Sequence, residues 1–334
     1  MLKFFRLVFA LVFGAAWMLS ATSVEAKRVA LVIGNESYQP ASTAPADTRV
    51  ATPPPSVGDP LSKPQRLKDL RNPVRDAKAF AEVLKAAGYD VIDRYNLDFK
   101  GFNAALDEFA EKSAGAIEAI VFFAGHGMKI TQREGRTVRE KNVLAPIDAE
   151  ISCDLSRSSG VVIEMEKVMR AVEGVPKQVF IFDACRDDPF QHCPGRSGSS
   201  GSGFDRAALP IGAADSATSI IVAYSTGDGK VASDGNVGSH SPFADVLLRE
   251  LRDPDKKRYV FRELLELTSE QVGKATNQRQ IPAVVGTGSR PDMGLAGSGC
   301  LTTVALIAEV KQGQDQLALR NGHFLRPKRP SASQ

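Results

Sequence analysis

The sequence has few of the residues that usually hold metal ions. Only four cysteines and four histidines occur among 334 residues, and none stand at the paired spacings that zinc sites use. A phosphate-binding P-loop, a dinucleotide-binding glycine fingerprint and internal repeats are also missing. The motifs therefore imply no metal or cofactor, and a dependence on calcium would leave no motif of its own.

A strong excess of one charge is missing too. The formal net charge is +3, spread along the chain, so charge gives no reason to expect a nucleic-acid partner. Hydrophobic residues make up 43% of the composition. That is ample for the core of one large α/β domain, and two domains are not required.

Long apolar runs are rare, and the one at the N-terminus is short. Residues 7–19 are apolar, follow Lys3 and Arg6, and precede Val24-Glu25-Ala26. The run is too short for a spanning helix, and small residues stand where a signal peptidase reads the chain. We therefore predict a signal peptide over 1–26, a secreted or periplasmic protein, and no membrane association after its removal. An uncleaved anchor is the alternative.

Two continuous apolar runs end in residues that can carry chemistry. Residues 119–124 lead into Gly125-His126-Gly127, and residues 179–182 lead into Asp183-Ala184-Cys185. Such runs are typical of strands buried on both faces of a parallel sheet, whose carboxyl ends border a crevice. His126 is therefore expected opposite Cys185, where an imidazole can take the thiol proton. Taken singly, each residue has an ordinary alternative, a turn histidine or a small buried cysteine.

The glycines around His126 suggest a second role for this crevice. A backbone without side chains lets a substrate approach closely. The amides of Gly127 and Cys185 are therefore candidates for stabilising an oxyanion.

Strand and helix patterns alternate along the rest of the chain. Apolar residues at helical spacing after Pro73, Asp98 and Ser241 predict helices, and the polar middle of residues 128–145 predicts a β-hairpin over the site. The other predicted elements are strands at 29–33, 89–95, 219–223 and 281–285 and helices at 162–172 and 261–272. This alternation indicates an α/β fold, a three-layer αβα sandwich around a mostly parallel sheet.

Three segments together resemble the caspase and metacaspase superfamily of cysteine peptidases, in particular its bacterial members. They are RVALVIGN at 28–35, AGHG at 124–127 and DACR at 183–186. The resemblance implies a caspase-like peptidase domain over 27–295. Composition adds a flexible insertion at 39–70 and a flexible linker loop at 186–216, and a C-terminal extension of uncertain structure follows at 296–334.

The resemblance also implies an activity. Protein or peptide substrates would be cut by a Cys185/His126 dyad, with no third side chain needed to orient the histidine. The chain departs from the animal caspase signature by placing Asp183 where Gln stands. Basic-specific relatives place carboxylates in the pocket for the residue before the cut, and Asp76 matches the second of these. Cleavage after Arg or Lys is therefore expected, with Ser225 in a loop that lines the substrate groove.

Alternatives accompany several of these predictions. Asp76 could instead be an exposed charge in a first helical turn, whereas a carboxylate such as Asp183, at the end of a buried strand, needs a partner. The protein could be a catalytically inactive caspase-like interaction module, or a secreted α/β binding protein in which Cys185 is merely buried.

Self-processing and oxidation are the last expectations. Arg196 and Arg206 in the linker loop predict self-cleavage after one of them, although an inert loop trimmed by other proteases is the alternative. Cys193 is close enough in sequence to cap Cys185 reversibly in an oxidising compartment, where Cys153 and Cys300 would also lie.

Overall fold

The fold is taken from a computed structural model that describes residues 26–38, 65–134, 137–151, 162–185, 218–227, 232–253 and 260–287. The strands are β1 Arg28–Gly34, β2 Gln65–Arg66, β3 Asp90–Tyr95, β4 Glu118–Glu134, β5 Thr137–Leu144, β6 Glu150–Ile151, β7 Ile163–Glu164, β8 Lys177–Cys185, β9 Ser219–Tyr224 and β10 Ala283–Thr287. The helices are α1 Pro73–Ala86, α2 Phe99–Ser113, α3 Met165–Arg170, α4 Pro242–Arg252 and α5 Phe261–Ala275.

The central sheet has the strand order β10-β9-β8-β4-β1-β3. All neighbours along this path are parallel except β10, which runs antiparallel to β9. Beyond the parallel part, β4 continues into an antiparallel hairpin with β5, as the polar stretch at 128–145 predicted. The end of β8 therefore meets β4 at His126, one residue before the hairpin pairing begins.

Helices cover both faces of the sheet. Phe180 and Phe182 of β8 pack in a cluster with α2 and α3, whereas Val179 and Ile181 pack in a second cluster with α1, α4 and α5. Alternate residues of a strand point to opposite faces, so β8 contributes to both cores. The result is the predicted three-layer αβα sandwich.

Close packing of α1 on β1 depends on one glycine. A Cβ added at Gly34 would lie 2.6 Å from the carbonyl oxygen of Pro73 and 2.8 Å from the Cβ of Ala77. Both distances are shorter than the contacts that a Cβ atom makes with other heavy atoms in proteins. Only glycine at this position lets the first turn of α1 rest against the end of β1.

Two predicted elements have different bounds in the structure. The helix predicted over 162–172 is shorter, because Ile163 and Glu164 pair with β5 as β7 and leave only Met165–Arg170 helical. The last strand was predicted at 281–285 but runs from Ala283 to Thr287. Ile281 is 49% exposed and precedes the first residue pair, Ala283 with Tyr224.

Residues 65–70 are ordered, although the sequence placed them in the flexible insertion 39–70. β2 pairs with β6, and Leu67 packs in a small core with Met128, Ile130 and Val143 of the hairpin. The hairpin thus supplies an apolar surface that holds the end of the insertion.

Other predictions concern parts of the chain outside the described residues. These are the signal peptide except Ala26, the linker loop 186–216 and the extension 296–334. Within the described part, no helix has the length and apolar character needed to cross a membrane.

Candidate active site

His126 and Cys185 lie side by side at the end of the parallel ladder. The register of β4 with β8 pairs Glu118 with Lys177 at one end and His126 with Cys185 at the other. Two buried neighbouring strands thus place one residue each at the end of their parallel pairing. The backbone of Cys185 consequently stands opposite that of His126.

The imidazole of His126 is held from two sides. The residue is only 2% exposed, and its Nε2 lies 2.7 Å from the carbonyl oxygen of Lys68. Its backbone amide donates to the hydroxyl of Tyr38 over 2.8 Å, and the two rings are 4.6 Å apart at 57°. A carbonyl can only accept, so Nε2 carries the proton and Nδ1 is the basic nitrogen of the neutral ring.

Residues 65–70 fix the groups that hold His126. The amide of Tyr38 donates to Oδ1 of Asp69 over 2.8 Å, and the guanidinium of Arg66 donates to the Tyr38 carbonyl. The amide of Leu70 donates to the Glu36 carbonyl over 2.8 Å. The end of the insertion is therefore hydrogen-bonded to the loop after β1, and this contact positions the Lys68 carbonyl beside the imidazole.

The sequence did not identify this orienting group. No third side chain was expected, and the structure supplies a backbone carbonyl in its place. A carbonyl leaves no residue signature, and the surrounding Ala, Ser and Pro composition of the insertion favoured flexibility. The signal available was Arg66-Leu67-Lys68-Asp69-Leu70, where two leucines stand among three charged residues.

Gly125 makes room for Tyr38 beneath the histidine. A Cβ there would lie 2.7 Å from Cζ of Phe123 and 2.9 Å from the Tyr38 hydroxyl, and the backbone φ is +156°. A side chain at this position would push Tyr38 away from the His126 amide. Glycine is therefore needed here for packing as well as for backbone conformation.

The two amides predicted to stabilise an oxyanion face the same boundary, between β4 and β8. The Ala124 carbonyl accepts from the Asn35 amide, so the backbone groups of Ala124 face β1. Gly127 stands three residues later, so its backbone groups point the other way, toward β8. The Phe182 carbonyl accepts from Ser225 next to β9, so the backbone groups of Cys185 face β4. Since backbone groups alternate sides along a strand, both amides point into the boundary between β4 and β8, where the pairing of His126 with Cys185 makes them donors of the ladder.

The two predicted pocket carboxylates are buried on opposite sides of Ser241. Oδ2 of Asp76 accepts from the Ser241 amide over 3.1 Å, and Oδ2 of Asp183 accepts from the Ser241 hydroxyl over 2.5 Å. Asp76 is 1% exposed and Asp183 is 4% exposed. The alternative interpretation of Asp76 as an exposed charge is therefore wrong, because α4 and the loop before it cover the first turn of α1.

The loop before α4 is tied to the start of α1. Oδ2 of Asp234 accepts from the Arg71 amide over 2.6 Å and Oδ1 accepts from the Asn72 amide over 3.3 Å, which fixes the backbone immediately before the helix. The Asn72 side chain in turn donates to the Asn236 carbonyl over 2.9 Å. These bonds bring His240 to Asp76, with Nδ1 2.5 Å from Oδ1.

Burial dominates the electrostatics of the carboxylates. It raises the pKa of Asp76 to about 7, with the nearby charge of Asp234 adding to the effect and the hydrogen bond from the Ser241 amide opposing it. Burial likewise raises the pKa of Asp183 to about 7, and the charge of Asp76 adds to it. Bringing a cation into the pocket would favour ionisation of both groups.

Unused hydrogen-bonding capacity remains in the pocket. Oδ1 of Asp183 and the hydroxyls of Ser225 and Thr226 are buried and have no hydrogen-bond partner among the described residues. The Ser225 hydroxyl is nevertheless close enough to lower the pKa of Asp183, while the Ser225 carbonyl accepts from Gln280 over 2.8 Å. Ser225, predicted to line the groove, thus lies beside Asp183.

Three residues of this pocket were not identified from the sequence. Ser241 was predicted only as the start of a helix, and it does cap α4 through Ala244; Asp234 and His240 had no assigned role. Their position depends on a loop without periodic pattern. Arg196, Arg206 and the remaining cysteines lie outside the described residues, and no group of three metal-binding side chains occurs within them.

Comparison with known proteins agrees with this architecture. A family model described as the caspase domain matches residues 27–291, whereas no curated protein matches the chain. Protein GSU0716 from Geobacter sulfurreducens is similar in structure, with a TM-score of 0.50 and 14% identity over 79% of this chain and 94% of that one. Caspase-1 from Spodoptera frugiperda gives a TM-score of 0.50 and 16% identity over 82% and 92% of the two chains.

Proposed function

This chain belongs to the caspase-domain family, and on that premise we propose that it is a cysteine endopeptidase that cuts after Arg or Lys with a Cys185/His126 dyad. The observation that carries the proposal is the register of β4 and β8, which sets His126 beside Cys185. The predicted signal peptide makes the enzyme secreted or periplasmic, with protein or peptide substrates.

The position of the proton on the neutral His126 ring supports its role as the base. Its Nε2 is engaged by the Lys68 carbonyl, so Nδ1 is the nitrogen that takes the thiol proton. The resulting Cys185 thiolate attacks the scissile carbonyl, and the imidazolium then protonates the leaving amine. Water hydrolyses the acyl-enzyme with His126 again as the base.

The backbone at the strand ends supports oxyanion stabilisation. The amides of Gly127 and Cys185 lie at the last residue pair of the ladder between β4 and β8, and they would bind the negative oxygen of the tetrahedral intermediate once these strand ends turn from each other toward the substrate. Neither contribution depends on a side chain. Substitutions that preserve the backbone at Gly127 should therefore affect the rate less than substitutions of His126.

The carboxylate pair supports selection of a basic residue before the cut. A guanidinium or ammonium that reaches Asp183 meets an oxygen without a hydrogen-bond partner among the described residues, and Ser225 beside it. Two buried carboxylates would repel an acidic side chain. Arginine gains most, because its planar fork can bond two oxygens at once.

A panel of fluorogenic peptides that differ only in the residue before the cut tests the proposal. We expect wild type to cleave the Arg and Lys peptides and not the Asp peptide. Cys185→Ala and His126→Ala should each abolish cleavage, and the double variant should be no worse, because the two groups act as a unit. Turnover by Cys185→Ala would exclude the dyad.

Thiol reactivity separates an enzyme from an inactive relative. In the folded protein, iodoacetamide should alkylate Cys185 well below pH 8 if His126 stabilises the thiolate, and His126→Ala should slow this reaction. Absence of both cleavage and alkylation would favour the inactive interaction module or a binding protein with a buried thiol.

Self-cleavage after Arg196 or Arg206 forms part of the same proposal. An enzyme that prefers basic residues finds substrates in its own linker loop. Intact-mass measurement should show fragments ending at one of these residues in wild type and a whole chain in Cys185→Ala. Identical fragments in both proteins would point to other proteases instead.

A further inference from the structure

His240 stands between solvent and the buried carboxylate of Asp76. Its Nδ1 lies 2.5 Å from Oδ1, and the side chains are 25% and 2% exposed, respectively. The other oxygen of Asp76 is taken by the Ser241 amide. A ligand that seeks Oδ1 must therefore take the place of the imidazole.

Cavities lie on both sides of the His240 side chain. One, of about 460 Å³, is lined by Arg71 before α1 and by residues of α1 such as Arg75 and Lys78. The other, of about 520 Å³, is lined along α4 by residues such as Leu248 and Arg249. His240 lines both and Asp76 lines neither, so a rotation of the imidazole into either space would open a path to the carboxylate.

Resting on the proposed cleavage after basic residues, we propose that His240 is a placeholder for the substrate side chain: it pairs with Asp76 in the free enzyme and is displaced by the incoming cation. The exchange replaces one hydrogen-bond donor by another, so Asp76 is not left buried without a partner. Asp183, by contrast, can offer Oδ1 without losing a bond.

The charges around the contact favour an exchangeable pair. Burial lowers the pKa of His240, Arg75 of α1 and Arg252 of α4 lower it further, and Asp245 opposes them. Burial also raises the pKa of Asp76. A neutral imidazole is a weaker hydrogen-bond donor to a carboxylate than a guanidinium is, so a guanidinium can take its place.

The placeholder role predicts how the His240 imidazole affects the affinity for ligands that bond to Asp76. Removing the imidazole removes a competitor, so ligands that bond to Asp76 should bind more tightly. If His240 instead positions Asp76 for substrate, its removal should weaken the same ligands. The two roles thus predict opposite signs.

Titration of benzamidine into Cys185→Ala protein by calorimetry measures this sign without turnover. Adding His240→Ala should tighten benzamidine binding by about threefold to tenfold, the size of one hydrogen bond, and leave uncharged benzamide unchanged. His240→Asn, which keeps a donor near the position of Nδ1, should bind like the parent protein and controls for folding.

Histidine NMR supplies a readout that a purely structural role would not move. The chain has four histidines, and His240→Ala assigns the one of interest. Benzamidine should shift the Nδ1 resonance of His240 as its bond to Asp76 breaks.

Unchanged or weaker benzamidine binding in His240→Ala, or an unmoved Nδ1 resonance, would overturn the placeholder. Absence of benzamidine binding to every variant would overturn it together with the basic pocket. Cleavage of the arginine peptide by wild type is scored separately, so a failed placeholder is distinguishable from a failed enzyme.

Discussion

Asp183 occupies a position that costs the free protein stability. It lies two residues before the end of a strand buried on both faces. One oxygen bonds to the Ser241 hydroxyl, and the other has no hydrogen-bond partner among the described residues. A buried carboxylate with half of its bonding capacity unused is unfavourable unless a cation arrives. This makes Asp183 the residue whose removal should separate binding from folding.

We expect Asp183→Asn to lower kcat/KM for arginine peptides by about 10²-fold or more, since losing one partner of a desolvated charge pair costs roughly 3 kcal/mol. The same variant should be at least as stable as wild type in urea at pH 7. Asp107→Asn, an exposed carboxylate on α2, is the matched control and should change neither quantity. A loss of less than threefold would contradict the charge pairing.

At this scale the sequence predicted residues but not their neighbours. The pairing of His126 with Cys185 follows from two apolar runs that end alike, and Asp76 and Asp183 follow from the family resemblance. His240 and Asp234 could not be predicted, because they reach the pocket through a loop whose course is set by bonds to Asn72 and Arg71. Such tertiary bonds leave no periodic trace.

The contact between α1 and β1 determines where Asp76 stands. Gly34 closes β1 directly beneath Pro73 and Ala77, so the helix that carries Asp76 rests on the strand without an intervening side chain. Any atom added there must lift the first turn of α1. The shift would be passed to Asp76 and its bond with Ser241.

Gly34→Ala should therefore destabilise the protein by about 1–3 kcal/mol, as overpacking of a tight contact does, and reduce activity on arginine peptides. Gly273→Ala in α5 is the control. Its added Cβ meets only the end of the Gln278 side chain at 3.3 Å, and a helical alanine gains about 0.5–1 kcal/mol over glycine. Urea midpoints measure both, and equal effects would contradict the packing argument.

Helices and strands with a strong periodic pattern could be predicted from the sequence. Segments that are ordered only by pairing with a distant strand could not. The strands before His126 and Cys185 and the helices opened by Pro73, Asp98 and Ser241 follow from local pattern and capping. Ile163 and Glu164 form a strand only because β5 offers its edge. Residues 65–70 are ordered only because the hairpin offers an apolar surface to Leu67. These are contacts between distant segments, which a local pattern does not contain.

For the whole molecule, Asp76 and Asp183 contribute a loss of stability as the pH rises toward neutrality. Asp76 and Asp183 have a pKa of about 7 in the folded chain against 3.8 ordinarily, so between about pH 4 and pH 7 the folded state holds more protons than the unfolded state. Unfolding then releases protons, and the free energy of unfolding falls with rising pH before levelling above 7.

Urea unfolding of Cys185→Ala protein from pH 5 to pH 8, with and without Asp183→Asn, checks this sign. The difference between the two proteins should move by roughly 2–4 kcal/mol in favour of the asparagine variant across that range. A comparison of two variants cancels the titration of groups they share, such as Asp93. A constant difference would contradict a folded-state pKa near 7 for Asp183.

The Lys68 carbonyl that orients His126 has a consequence for how the protein tolerates change. Because the bond comes from the main chain, replacing Lys68 by most other residues leaves it in place, and an alanine substitution at this position would pass over the contact. Changes of length would not: inserting or deleting one residue between Arg66 and Leu70 moves a different carbonyl to the imidazole. Position 68 can therefore vary in composition far more freely than the segment around it can vary in length.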